Sequence, residues 1–209
     1  MATPEVPCES AAAQDGPLLE WAGAGGVLYH GTPEPFDTFR DPLGATDRGA
    51  GYDHQGPAIY LTNDPNGYAR FFARESIPRL LLHAAVSGDK DREARLFDSD
   101  GFVLQVHLEL ARVLRIEHAP QPIRELFARS VGNFDAGLAL RQAVLGEGFD
   151  ALAFVEPNYP EGWEVRRNAM TVAVYAHDKA RIIDAREAQS YKLPPGWSES
   201  PASRARPRG

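Results

Sequence analysis

The stretch "FVLQVHLEL", residues 102–110, constrains the fold of this chain more than any other. Phe102, Leu104, Val106, Leu108 and Leu110 alternate with Val103, Gln105, His107 and Glu109. A period of two over nine residues is the pattern of a half-buried strand and not of a helix. His107 falls on the polar side, where solvation is its expected role. "RVLRI" (112–116) continues the extended character after a break. Such a strand needs partners, and four shorter apolar segments offer them: Val27–His30, Ala58–Thr62, Ala151–Val155 and Thr171–Ala176.

Helices fit between these strands. "NDPNGYARFFARES" (63–76) offers Asp64 as an N-cap, with Pro65 in the first turn, where a missing N–H is harmless. "IPRLLLHAAV" (77–86) reads as a short apolar helix. "DAGLALRQAVLGEG" (135–148) reads as a helix starting at Asp135, presenting Leu138, Gln142 and Leu145, and stopping at Gly146 or Gly148. Strands and helices mix without regular βαβ alternation, so the expected class is α+β.

Residues 1–20 and 194–209 are rich in Pro, Ala and Ser and read as an N-terminal arm and a C-terminal tail around one domain, 21–193. The start "MATPEVPCES" lacks the basic and apolar regions of a signal peptide. No apolar run, Leu80–Leu82 included, approaches the roughly 20 residues that span a bilayer. A cytoplasmic protein without membrane contact is the expectation, and delivery as an effector by a dedicated machine would leave the same sequence. With 29 acidic against 22 basic residues, the net charge of -7 argues against a broad nucleic-acid surface. The single cysteine, Cys8, permits no internal disulfide.

Familiar catalytic motifs are missing. The six histidines form no H-x-x-x-H pair and have no Cys partner, so no metal site is expected. There is no G-x-G-x-x-G opening a helix and no G-x-S-x-G elbow. "GATDRGAGYDHQG" (44–56) is glycine-rich but lacks the Lys-Ser/Thr of a P-loop, and reads as a mobile loop over a cleft.

What remains is "GGVLYHGT" (25–32), in which a histidine ends an apolar strand and Gly31 breaks it, and "GPAIYLTNDPNGYARFFA" (56–73), in which Tyr60 lies on a second short strand running through Thr62 into a capped helix. With Phe36 and Phe39 between them, these segments resemble the histidine–tyrosine branch of the ADP-ribosyltransferases. That branch includes diphtheria-toxin-like enzymes, poly(ADP-ribose) polymerases and small transferase domains of phage polyvalent proteins. "GFDALAF" and "TVAVYAHDKARI" are similar to the family's closing strands, so the resemblance covers about Val27 to Ile183.

The resemblance implies split antiparallel sheets around an NAD cleft, with NAD as the substrate. His30 would bond the adenosine-side ribose, Gly31 would bond the nicotinamide carboxamide through its backbone, and Thr32 would support the pocket. The absent Cβ of Gly31 would permit that close approach. Tyr60 would stack on nicotinamide, with Tyr68, Phe71 or Phe72 closing the other face, although at least one of the two phenylalanines is expected to pack in the core. Active members often carry a glutamate at the start of the late strand; here Met170 or Thr171 falls at that position. Glu164, in "YPEGWEVRRNAM", is the nearest acidic candidate for the third catalytic role, and Asn168 is a neutral one.

Loss of one charge-stabilising group commonly costs about 10²–10³ in rate. The implied activity is therefore mono-ADP-ribosylation of a protein or nucleic-acid acceptor and not polymer formation. Two other readings share the motif. One is a weak or inactive module that binds NAD or a partner. The other is an RNA 2′-phosphotransferase, which usually carries more basic residues and a histidine where this chain has Tyr60.

Overall fold

The computed structural model describes residues 27–43, 55–109, 112–155 and 170–190. Seven strands form one mixed sheet: β1 (Val27–Thr32), β2 (Ile59–Thr62), β3 (Phe102–Leu108), β4 (Val113–Arg115), β5 (Ala151–Phe154), β6 (Thr171–Val174) and β7 (Ala180–Glu187). Their order is β4-β5-β6-β2-β1-β3-β7. The class is α+β. In place of two separate antiparallel sheets there is one continuous sheet, its halves β4-β5-β6-β2 and β1-β3-β7 joined through the pair Tyr29↔Thr62, and it is mixed because β4 and β5 pair in parallel.

The helices are α1 (Arg70–Glu75), α2 (Ile77–Ser87), α3 (Lys90–Phe97), α4 (Gln121–Ser130) and α5 (Phe134–Gly146). Of these, α1, α4 and α5 cover one face of the sheet. Ala69 and Ala73 pack there on Val103 and Tyr29. Ile123, Leu140 and Val144 pack on Leu114, Leu152, Phe154 and Ala173. Alternation sends the other set of side chains (Leu28, Leu61, Leu104, Val106, Val172 and Val174) to the opposite face, where Phe36 and Phe39 lie against them. None of these helices is long and apolar enough to cross a membrane.

Several details depart from the sequence reading. Gly31 does not end β1, which continues to Thr32 because the β1–β3 ladder runs unbroken from Val27↔His107 to Thr32↔Phe102. The N-cap of α5 is Asn133, whose side chain accepts from the Ala136 N–H, and not Asp135. That helix buries Gly137, Leu140, Arg141 and Val144, while Gln142 and Leu145 are exposed. The longest strand, β7, has the weakly apolar sequence "ARIIDARE" of a half-solvated sheet edge. The two terminal segments, 1–20 and 194–209, lie outside the described residues.

Candidate functional site

The sheet is weakest between β1 and β2. β1 pairs with β3 over six residues and β2 with β6 over four, yet β1 and β2 share one pair, Tyr29↔Thr62. Continuing that register would set Gly31 opposite Tyr60, but the ladder stops short of it. The Tyr60 carbonyl is instead bonded by the His30 side chain, with Nδ1 2.9 Å from the oxygen. A carbonyl can only accept, so Nδ1 carries the proton and Nε2 is left with the lone pair. Where the strands part, a cavity of ≈ 880 Å³ opens, within the range of small-molecule sites.

His30, Gly31, Thr32, Tyr60, Tyr68 and Phe72 all border this cavity. They reach it from different directions. His30 belongs to the face of Leu28 and Leu61, and its ring sits edge-on to Phe36 and Phe39, with centroids 5.9 and 5.3 Å away. Tyr60 belongs to the helix-covered face and packs on the α4–α5 cluster. The two side chains thus leave opposite faces of the sheet and meet one hollow at its parting. Burial among apolar rings pulls the His30 pKa below its ordinary value, opposed in part by the Tyr60 carbonyl, so the imidazole is neutral near pH 7.

The Tyr60 hydroxyl has a structural task. It donates to the Gly56 carbonyl at 2.5 Å and accepts from the Gln55 N–H at 3.1 Å. The Tyr175 hydroxyl donates to the Gln55 carbonyl at 3.0 Å, and Arg141 Nη1 donates to the Pro57 carbonyl at 2.7 Å. Burial raises the Tyr175 pKa well above the usual phenol value, with the Arg141 charge acting against it. Gly56, at φ +86°, also packs backbone to backbone on Gly137, where a Cβ would lie 2.1 Å from the Gly137 oxygen. Three side chains and a glycine contact therefore fix the entry to β2. The end of the 44–56 loop is anchored, and residues 44–54 lie outside the described residues.

The Asp64 cap is as expected: Oδ1 accepts from the Gly67 N–H at 3.0 Å. The turn it opens is wider than a regular helix, however, because the Ala69 N–H bonds the Asp64 carbonyl five residues back. This turn (Pro65–Ala69) places buried Tyr68 beside Phe72, with centroids 5.3 Å apart and planes at 32°. Phe71 meets Phe72 edge-on at 5.2 Å and does not border the cavity, so Phe72 is the phenylalanine that faces it.

Gly31 and Thr32 also have structural tasks. Gly31 lacks a Cβ because one would lie 1.9 Å from the Ala69 carbonyl oxygen and 2.7 Å from the Ala73 nitrogen. The approach that the missing Cβ permits is that of the helix backbone. The Thr32 hydroxyl donates to the Glu34 carbonyl at 2.7 Å and shapes the turn after β1.

Thr171 opens β6 beside Thr62 and borders the cavity. It is buried, and its hydroxyl oxygen has no hydrogen-bond partner among the described residues. Glu164 and Asn168 lie outside the described residues, as does the rest of the 156–168 loop. Among described residues the carboxylates bordering the cavity are Glu34 and Asp37. Glu34 is held by Arg92, whose Nη2 lies 2.6 Å from Oε2. Sequence reasoning did not assign Glu34 or Arg92 to this wall, since their pairing joins positions 58 residues apart. Among the described residues no three His, Cys, Asp or Glu side chains gather as a metal site. Comparison with protein-family models, with curated proteins and with solved structures gives no match.

Proposed function

We propose that this protein is an NAD-dependent mono-ADP-ribosyltransferase, moving ADP-ribose from NAD to a macromolecular acceptor with release of nicotinamide. One observation carries the reading: His30, Tyr60, Tyr68, Phe72 and Thr171, from separate segments, border a single cavity where two strands part. Tyr60, Tyr68 and Phe72 offer aromatic surface for a pyridine ring. The Nε2 lone pair of His30 is an acceptor for a ribose hydroxyl. In the reaction, the bond from nicotinamide nitrogen to the ribose C1′ breaks and its electron pair leaves with nicotinamide. The acceptor's nucleophile then bonds C1′ and releases a proton. The test is nicotinamide release by purified protein incubated with NAD, alone and with cell lysate, against His30→Ala and Tyr60→Ala variants shown to be folded.

A second reading is favoured by Thr171. A neutral hydroxyl there stabilises developing positive charge on the ribose less than a carboxylate would, which suits a module that binds NAD with slow turnover or none. NAD binding without nicotinamide release would select it.

A further inference from the structure

Of the thirteen described arginines, Arg74, Arg92, Arg115, Arg141 and Arg186 each meet a carboxylate at 3.5 Å or less. Acidic residues outnumber basic ones in the chain, 29 to 22, so partners are plentiful. Arg40 and Arg79 have no ion-pair partner among the described residues, and what sets them apart is that both border the cavity. Arg40 lies in the segment that carries Phe36 and Phe39. Arg79 lies on α2, where Arg79, Leu80 and His83, with the cap residue Ser76, form one helical face along the same hollow.

Two of the nearby acids are already engaged. Glu34 is neutralised by Arg92, and Asp41, the sequence neighbour of Arg40, is drawn to Arg141 at 3.5 Å. Asp37 is then the remaining acid on a wall that carries Arg40, Arg79 and His83. The bland alternative is two solvated surface arginines. Against it stands the placement of both, from different elements, at one aromatic-walled cavity.

We infer that Arg40 and Arg79 form a phosphate-binding subsite of this cavity, taking the diphosphate of a nucleoside-diphosphate-bearing ligand whose ring stacks on the aromatic wall. Guanidinium groups suit phosphate because their N–H groups match two of its oxygens at once. The inference deepens the proposed NAD reading and rests on it for the identity of the full ligand.

The test is calorimetric titration of the full chain with ADP and with adenosine, for wild type, Arg40→Gln and Arg79→Gln. Both side chains are exposed, so the variants should fold. Wild type should bind ADP more tightly than adenosine, and each variant should lose about tenfold for ADP with adenosine unchanged. Equal affinity of wild type for ADP and adenosine, no ADP binding, or unchanged ADP binding in both variants would each overturn the subsite. Arginine-dependent ADP binding without nicotinamide release from NAD would sink the transferase reading alone. Nicotinamide release with an unaltered KM for NAD in both variants would sink the subsite alone.

Discussion

The His30 imidazole donates through Nδ1 to the Tyr60 backbone carbonyl, 2.9 Å away, at the point where β1 and β2 stop pairing. A side chain thereby takes up a carbonyl that the ladder leaves. The same bond fixes the tautomer of the histidine and marks one edge of the cavity.

The burial of this imidazole has a pH signature, which the bond to the Tyr60 carbonyl opposes. The folded-state pKa of His30 lies below its ordinary 6.5, so below that pH the unfolded chain takes up the proton more readily. The stabilising contribution is complete above about pH 6.5 and declines as pH falls toward the lowered value. Urea unfolding at pH 7 and pH 5 should show a smaller loss of stability for His30→Gln than for wild type. Parallel losses in the two proteins would contradict this assignment.

Tyr60 combines a ring at the cavity with a hydroxyl that ties residues 55 and 56. Tyr60→Phe keeps the ring, and should lower stability by about 1 kcal/mol in urea unfolding while leaving NAD affinity nearly unchanged. Tyr60→Ala should lose both. Equal effects of the two variants on affinity would show that the hydroxyl, not the ring, matters to the ligand.

Gly31→Ala would drive a Cβ into the Ala69 carbonyl at 1.9 Å, and backbone on both sides cannot yield as a side chain does. A loss of at least about 3 kcal/mol, or failure to fold, is expected in thermal or urea unfolding. A well-folded Gly31→Ala protein of wild-type stability would refute the close packing of α1 on β1.

The Thr171 hydroxyl is buried without a partner, so Thr171→Val should leave stability unchanged or raise it by up to about 1 kcal/mol. Nicotinamide release should fall all the same. Thr171→Glu should raise it if the position faces the nicotinamide ribose. A clear loss of stability in Thr171→Val would point to a structural bond instead.

The strands were legible where their chemistry is local. Alternation marked β3, and short β-branched or apolar runs marked β1, β2, β5 and β6 to within two residues at each end. The Asp64 cap was legible because capping needs only neighbours three residues apart. The charged edge strand β7 was not, since its hydrogen bonds with β3 define it and its own pattern is faint. The signals of helices α3 and α4 are local: Asp89, which accepts from the Arg92 N–H, and Pro122 in the first turn. At the site, the aromatic residues could be read from motif order. The parting of β1 from β2 could not, because it depends on which strand each prefers as a partner. Nor could the packing role of Gly31, which is set by a helix some forty residues away.

The central claim is that this cavity holds NAD and breaks its glycosidic bond. Incubating purified protein with NAD labelled in the nicotinamide ring and measuring free nicotinamide tests it most directly. Slow release that disappears in His30→Ala and in Tyr60→Ala, with both variants folded, is the predicted result. Wild-type protein that neither binds nor consumes NAD at millimolar concentration would contradict it.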